Sequence, residues 1–93
     1  MAYDLALFNK MVAAEGENRL IGIFFNNAYR RLFASEPFDP ATMIDVETEQ
    51  FKFVETDPSG IKFTVYKPIE YVEALAFANE EDFARLDTRS ISG

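Results

Sequence analysis

Three carboxylates, Asp45, Glu47 and Glu49, are spaced two residues apart in the segment MIDVETEQF. In an extended chain, side chains at this spacing leave the same face of the strand. Such a row could bind a cation, imitate the phosphates of a nucleic-acid strand, or form the solvent-exposed face of a strand. Calcium holds its oxygen ligands at about 2.3–2.6 Å, whereas neighbouring side chains in this row start about 6.6 Å apart. The row is therefore a poor cation cage, and we expect no metal.

The same segment predicts a break in the strand. Ile44 alternates with the carboxylates, as in a half-buried strand. Phe51 and Phe53, however, have odd residue numbers, as the three carboxylates do. An unbroken strand would place acids and phenylalanines on one face. We therefore expect a bulge or break near residues 48–50, or a separate strand for residues 43–49. In either case the carboxylates form the solvent face of a separately oriented segment.

The densest group of hydrogen-bond donors lies in the segment NNAYRR. Guanidinium groups can hold a carboxylate or a phosphate through two parallel hydrogen bonds. One interpretation is a solvated helix face. The other is a protein interface, which we extend to two phenylalanines that flank a proline-containing segment. Its predicted members are Asn26, Asn27, Tyr29, Arg30, Arg31, Phe33 and Phe38. The acidic surface of a second copy would complement this group in a head-to-tail contact.

The composition restricts catalysis. The chain contains no Cys and no His, so it lacks a thiolate nucleophile, the usual general base near neutral pH and the commonest transition-metal ligand. Its four glycines are widely scattered and form no phosphate-binding loop. Carboxylate pairs such as Glu70 and Glu73 are more typical of helix starts than of active sites. We expect a protein that is not an enzyme and that binds no cofactor or small-molecule substrate.

Size and charge indicate one small acidic domain. The 93 residues form a single predicted domain, 1–93, in which residues 88–93 are expected to be a flexible tail. Sixteen acidic and nine basic residues give a net charge of −7, which disfavours direct binding to nucleic acid or to an anionic membrane. The apolar run IGIFF is far shorter than the roughly 20 residues that span a bilayer. We expect a cytoplasmic protein.

The N-terminal half predicts two helices. Apolar residues at helical spacing indicate a helix over residues 3–15, and Gly16 is well placed to end it. A second helix is expected over residues 18–34, because the polar side chains there fall mostly on one stripe and the apolar ones on the opposite face. The alternative is a strand at 20–25 followed by a helix that begins at Asn26.

A β-hairpin is predicted from residues 51–56 and 61–66, which alternate around the turn DPSG. Proline suits the second position of a type I turn, and the following glycine can adopt the left-handed conformation of a bulge. This register places Phe53 opposite Val65. One apolar face of the hairpin then carries Phe51, Phe53, Phe63 and Val65, and the helices are expected to cover it.

The C-terminal part allows two structures. Residues 69–87 could form one helix, or a third strand through YVEALAFA followed by a short helix that begins at Asn79. In the second structure, Asn79 and Asp82 would form a capping pair. Between the two halves of the chain, Asp39 before Pro40 can cap a single helical turn.

Together these patterns predict an α+β fold in which an N-terminal helical pair packs on an antiparallel hairpin, with a C-terminal helix and with or without a third strand. The predicted function is binding to other protein molecules, as a subunit of a homo- or hetero-assembly or as an accessory factor. A phage-encoded inhibitor or a virion accessory protein would share these features. The alternative is an acidic mimic of nucleic acid that captures a basic nucleic-acid-binding protein.

Overall fold

The computed structural model describes residues 2–86, so the tail predicted at 88–93 lies outside it. The chain begins with helix α1 (Leu5–Ala14), in agreement with the predicted helix over 3–15. The side chain of Asp4 accepts a hydrogen bond from the Leu7 N–H at 2.8 Å and caps the helix. Gly16 follows the helix with a φ of 63°, the left-handed conformation expected at a helix end.

The second predicted helix is absent from residues 18–34, which form a hairpin of strands β1 (Arg19–Phe25) and β2 (Tyr29–Arg31). The prediction of an N-terminal helical pair is therefore wrong. The alternative is right about a strand at 20–25 and wrong about a helix after it. A tight turn joins the two strands, closed by the Phe25 N–H donating to the Ala28 carbonyl at 2.8 Å. The polar stripe that suggested a helix has two sources. It includes the polar residues of this turn and the polar residues of β2, whose side chains alternate between exposed and buried.

Distant residues complete this sheet. Strand β6 (Val72–Ala78) pairs antiparallel with β1, so the first sheet has the order β2-β1-β6. A 3-10 helix (Ile69–Tyr71) precedes β6, and helix α3 (Glu80–Ala84) follows it. Asn79 caps α3 by accepting the Asp82 N–H at 2.8 Å. Within the described residues 69–86, the strand followed by a short helix is thus the correct structure.

The second sheet contains the predicted hairpin. Strands β3 (Ile44–Asp45), β4 (Gln50–Thr56) and β5 (Lys62–Pro68) are antiparallel, in the order β3-β4-β5. Phe53 is opposite Val65 as predicted. The chain enters this sheet through a single helical turn, α2 (Pro40–Met43), which Asp39 caps.

The two sheets face each other across the hydrophobic core, and α1 packs at one side. The Phe51 ring lies 5.2 Å from that of Phe8 on α1 and 5.9 Å from that of Phe25 on β1. The predicted apolar face of the hairpin is only partly covered, because Phe51 and Phe53 are buried whereas Phe63 is 45% exposed. No helix within residues 2–86 is long and apolar enough to cross a membrane.

The turn between β4 and β5 is held by Asp57. Its carboxylate accepts hydrogen bonds from the Ser59 hydroxyl at 2.7 Å, the Ser59 N–H at 2.9 Å and the Ile61 N–H at 3.0 Å. These bonds lower the pKa of Asp57 below its usual 3.8. The hydrogen bond from the Ser59 side chain has the largest effect. Gly60 completes the turn with a φ of 91°.

The lowered pKa of Asp57 predicts an acid-dependent contribution to stability. Because the folded state favours the ionised carboxylate, this contribution is present above the unfolded pKa and is lost as the pH falls through the lower, folded pKa. We expect Asp57→Ala to lower the urea midpoint at pH 7 and to have a smaller effect at a pH well below 3.8. An equal effect at both pH values would contradict a role for the ionised group.

Candidate protein-binding surface

Arg30 lies inside the protein. It projects from the inner face of β2, and only 8% of its side chain is accessible to solvent. Its guanidinium lies 4.5 Å above the Phe53 ring centroid and forms an ion pair with Glu55 on β4. Through these contacts Arg30 joins the two sheets. Adjacent residues of a strand lie on opposite faces. This position separates it from Tyr29 and Arg31, which a helix would have grouped with it.

Tyr29 and Arg31 lie together on the outer face of the first sheet. The Arg31 Nε donates a hydrogen bond to the Tyr29 hydroxyl at 2.7 Å, and its guanidinium lies 5.4 Å from the Tyr29 ring centroid. The Tyr29 ring is also 4.4 Å from the ring of Phe24, its neighbour on β1. We call Phe24, Tyr29 and Arg31 the aromatic platform.

A glycine makes room for this platform. Gly22 is opposite Arg31 in the sheet, and a Cβ atom built on it would lie 2.7 Å from the Tyr29 hydroxyl and ring edge. The Tyr29 ring can therefore approach the strand this closely only because residue 22 has no side chain. Glycine inside a strand often marks such a close approach. This residue and Phe24 were absent from the predicted interface.

The other predicted interface residues are dispersed. Asn26 and Asn27 are exposed at the turn between β1 and β2, next to the aromatic platform. Phe33 is half-buried and pairs with Glu36 in an isolated β-bridge. Phe38 packs towards the core, with its ring 5.6 Å from that of Phe8. The hairpin tip and the platform thus form one surface. Phe33 adjoins it, because it lines a depression of about 230 Å³ together with Tyr29 and Arg31, whereas Phe38 lies against Phe8.

The acidic residues do not form a row. Asp45 lies in the short strand β3, and Glu47 lies in the turn that follows it. Glu49 has a φ of 51°, and its carboxylate accepts the Leu5 N–H at 3.0 Å, so it helps to cap α1. The predicted break before β4 is confirmed. Only Asp45 of the three lies in a strand, so the extended geometry assumed for the acidic row is not formed. Residues 2–86 hold no group of three or more His, Cys, Asp or Glu side chains that could bind a metal ion.

An apolar groove on the opposite side of β1 was not predicted. Its volume is about 290 Å³, and its apolar walls include Phe8, Val12, Leu20, Phe38 and Phe83. Arg19 lies at its edge, with its guanidinium 4.4 Å from the Phe83 ring centroid and 2.8 Å from a Glu80 oxygen. The groove exists because α3 returns to β1, a contact that no local sequence pattern indicates.

Comparisons with protein-family models, with curated proteins and with solved structures gave no match to this chain. The fold defines the class of the molecule, which is an α+β protein with two three-stranded antiparallel sheets.

Proposed function

We propose that this chain is a non-enzymatic protein-binding module, a subunit or accessory factor of a protein assembly, and that it binds its partner through the aromatic platform. The observation that carries the proposal is the exposure of two aromatic rings that contact each other on the solvent-facing side of a sheet. Phe24 and Tyr29 remain 41% and 44% exposed while they contact each other. The absence of Cys and His from the sequence is consistent with a binding role.

The platform has the composition and rigidity of an interface centre. Tyrosine and arginine are enriched among residues that dominate binding energy. Association costs about 0.5–1.5 kcal/mol for each mobile side chain that becomes ordered. That cost is reduced for Tyr29, because its ring is already held by Phe24 on one side and by Arg31 through its hydroxyl.

Arg31 specifies the chemistry of the partner. One of its five N–H donors is used by the Tyr29 hydroxyl, and the guanidinium remains exposed. A carboxylate can accept two parallel hydrogen bonds from such a group. The partner that fits is a protein surface with an acidic side chain beside an apolar one. The net charge of −7 repels acidic surfaces elsewhere on the molecule and so favours docking at this position.

Site-specific photo-crosslinking in the source cell tests this proposal. A photoreactive phenylalanine analogue at position 29 is expected to give one discrete crosslinked species, identified by mass spectrometry. The same analogue at position 71 is the matched control, because Tyr71 is also an exposed tyrosine but lies outside the platform.

Two substitutions sharpen the test. We expect Arg31→Glu to abolish the crosslink from position 29 through charge reversal. We also expect Gly22→Ala to weaken it, because the new methyl group displaces the Tyr29 ring. Identical products from positions 29 and 71, or a crosslink unaffected by Arg31→Glu, would refute binding at this surface.

A further inference from the structure

Strand β5 forms one edge of the second sheet. It pairs with β4 on one side, and no other strand of residues 2–86 pairs with its other side. It is seven residues long and none of its residues is fully buried. Long edge strands present unpaired backbone N–H and C=O groups to other chains. This edge is distinct from the aromatic platform, which lies on the other sheet.

The register identifies which backbone groups point outward. The Asp57 N–H donates to the Ile61 carbonyl at 2.9 Å at one end of the hairpin, and the Ile69 N–H donates to the Glu49 carbonyl at 3.1 Å at the other. The pairing between them is continuous. Because inward and outward groups alternate along an antiparallel strand, odd-numbered residues of β5 bond to β4. The outward donors therefore belong to Lys62, Thr64 and Tyr66.

We propose that two copies of this chain pair through β5, antiparallel, about a two-fold axis at Thr64. In this register Thr64 faces the partner's Thr64, and Lys62 faces the partner's Tyr66. Each of these pairs exchanges both backbone hydrogen bonds. Pro68, whose outward position has no N–H to donate, lies beyond the last bonded pair. A register centred on Val65 would place Lys62 against the partner's Pro68 and lose a donor.

The side chains of β5 suit this register. Phe63 is 45% exposed in the single chain, and the pairing places it opposite the partner's Val65 on the inner face. On the outer face, the Lys62 ammonium lies beside the partner's Tyr66 rather than beside a second lysine. Phe63 and Tyr66 therefore lose exposed area on pairing, which favours association.

Charge also favours a second copy at this edge. Residues 50–68 carry three lysines and two carboxylates, whereas the whole chain has a net charge of −7. Two like-charged copies therefore approach with least repulsion through this hairpin. The edge is self-complementary in hydrogen bonding and side-chain size, and this selects a second copy over an unrelated extended segment. The resulting contact is symmetric, unlike the head-to-tail contact expected from the sequence.

Disulfide trapping tests the register directly, because the chain has no cysteine. Facing residues of a hydrogen-bonded antiparallel pair lie about 5.5 Å apart at Cα, within disulfide range. We expect Thr64→Cys to form a covalent dimer on mild oxidation. Val54→Cys is the matched control, because Val54 is exposed and opposite Thr64 but lies on the central strand. Equal crosslinking of both variants would overturn the proposal.

Light scattering tests the association without crosslinks. The unmodified chain is expected to show twice the mass of its 10.6 kDa monomer at high concentration. Thr64→Pro removes an outward N–H and leaves the bonds to β4 intact, so we expect a folded monomer with an unchanged circular dichroism spectrum. Thr64→Val keeps that N–H and should remain dimeric.

The two variants at position 64 also separate an edge-pairing dimer from any other oligomer. Dimeric Thr64→Pro, or a monomeric unmodified chain at every concentration, would refute pairing through β5. Pairing of β5 with an extended segment of another protein would give that same monomeric mass in the purified chain. None of these results bears on the aromatic platform, so the two proposals fail independently.

Discussion

Phe51→Ala is expected to lower the unfolding free energy of the protein by about 3–5 kcal/mol. Phe51 is fully buried and packs edge-on against the rings of Phe8 and Phe25, so it connects α1 and both sheets. Truncating a buried phenylalanine to alanine costs about 3–5 kcal/mol, through lost apolar burial and the cavity that remains. Small domains have a total unfolding free energy of about 5–15 kcal/mol. The substitution therefore removes a large fraction of the stability.

Urea unfolding followed by circular dichroism measures this loss. Val54→Ala is the control, because Val54 lies on the same strand but on the outer face, 54% exposed. We expect Val54→Ala to change the unfolding free energy by less than about 0.5 kcal/mol, as is usual for surface substitutions. Similar midpoints for the two variants would show that the inner face of β4 is not the centre of the core.

The features that were predictable from the sequence depend on local chemistry. The β4–β5 hairpin follows from alternation around a proline-and-glycine turn, and its register was correct at Phe53 and Val65. Likewise, Asp39 and Asn79 cap helices by bonding to backbone groups within three residues. Each of these signals is contained in a few adjacent residues, so the sequence alone is sufficient to identify them.

The error at residues 18–34 has a non-local cause. Strand β1 is stabilised by β6, which is about 50 residues away in the chain, and no local pattern reports that pairing. Arg30 and Arg31 strengthened the helical interpretation because both were assumed to be solvated. In the structure one of them is buried, and its ion-pair partner Glu55 is 25 residues away. Tertiary context thus overrides the pattern of polar residues.

Some of the residues grouped from the sequence also lie together in the structure. Tyr29, Arg31 and the two asparagines are close in space, because a hairpin and a helix both keep adjacent residues close. The contributions of Phe24 and Gly22 depend on cross-strand pairing. The glycine within the run LIGIFF was the available signal, since a strand interior rarely gains from glycine unless another group approaches closely.

Arg30→Leu is expected to destabilise the protein strongly, although arginine is often a surface residue. It removes the stacking of the guanidinium on Phe53 and the ion pair with Glu55. Breaking a fully buried ion pair costs about 3–5 kcal/mol. Because 30% of the Glu55 side chain is accessible to water, part of this cost is screened, and we expect a loss of about 2–3 kcal/mol.

A double-mutant cycle isolates the contribution of the ion pair. We expect Glu55→Gln in the Arg30→Leu background to cost much less than in the unmodified chain, because the charge that it removes has already lost its guanidinium partner. Arg31→Leu is the matched control on the outer face of the same strand, and it should change the unfolding free energy by less than about 0.5 kcal/mol. Equal effects of Arg30→Leu and Arg31→Leu would contradict the strand geometry that places one arginine inside and the other outside. With a helix over residues 18–34, both arginines would be exposed and neither substitution would have a large effect.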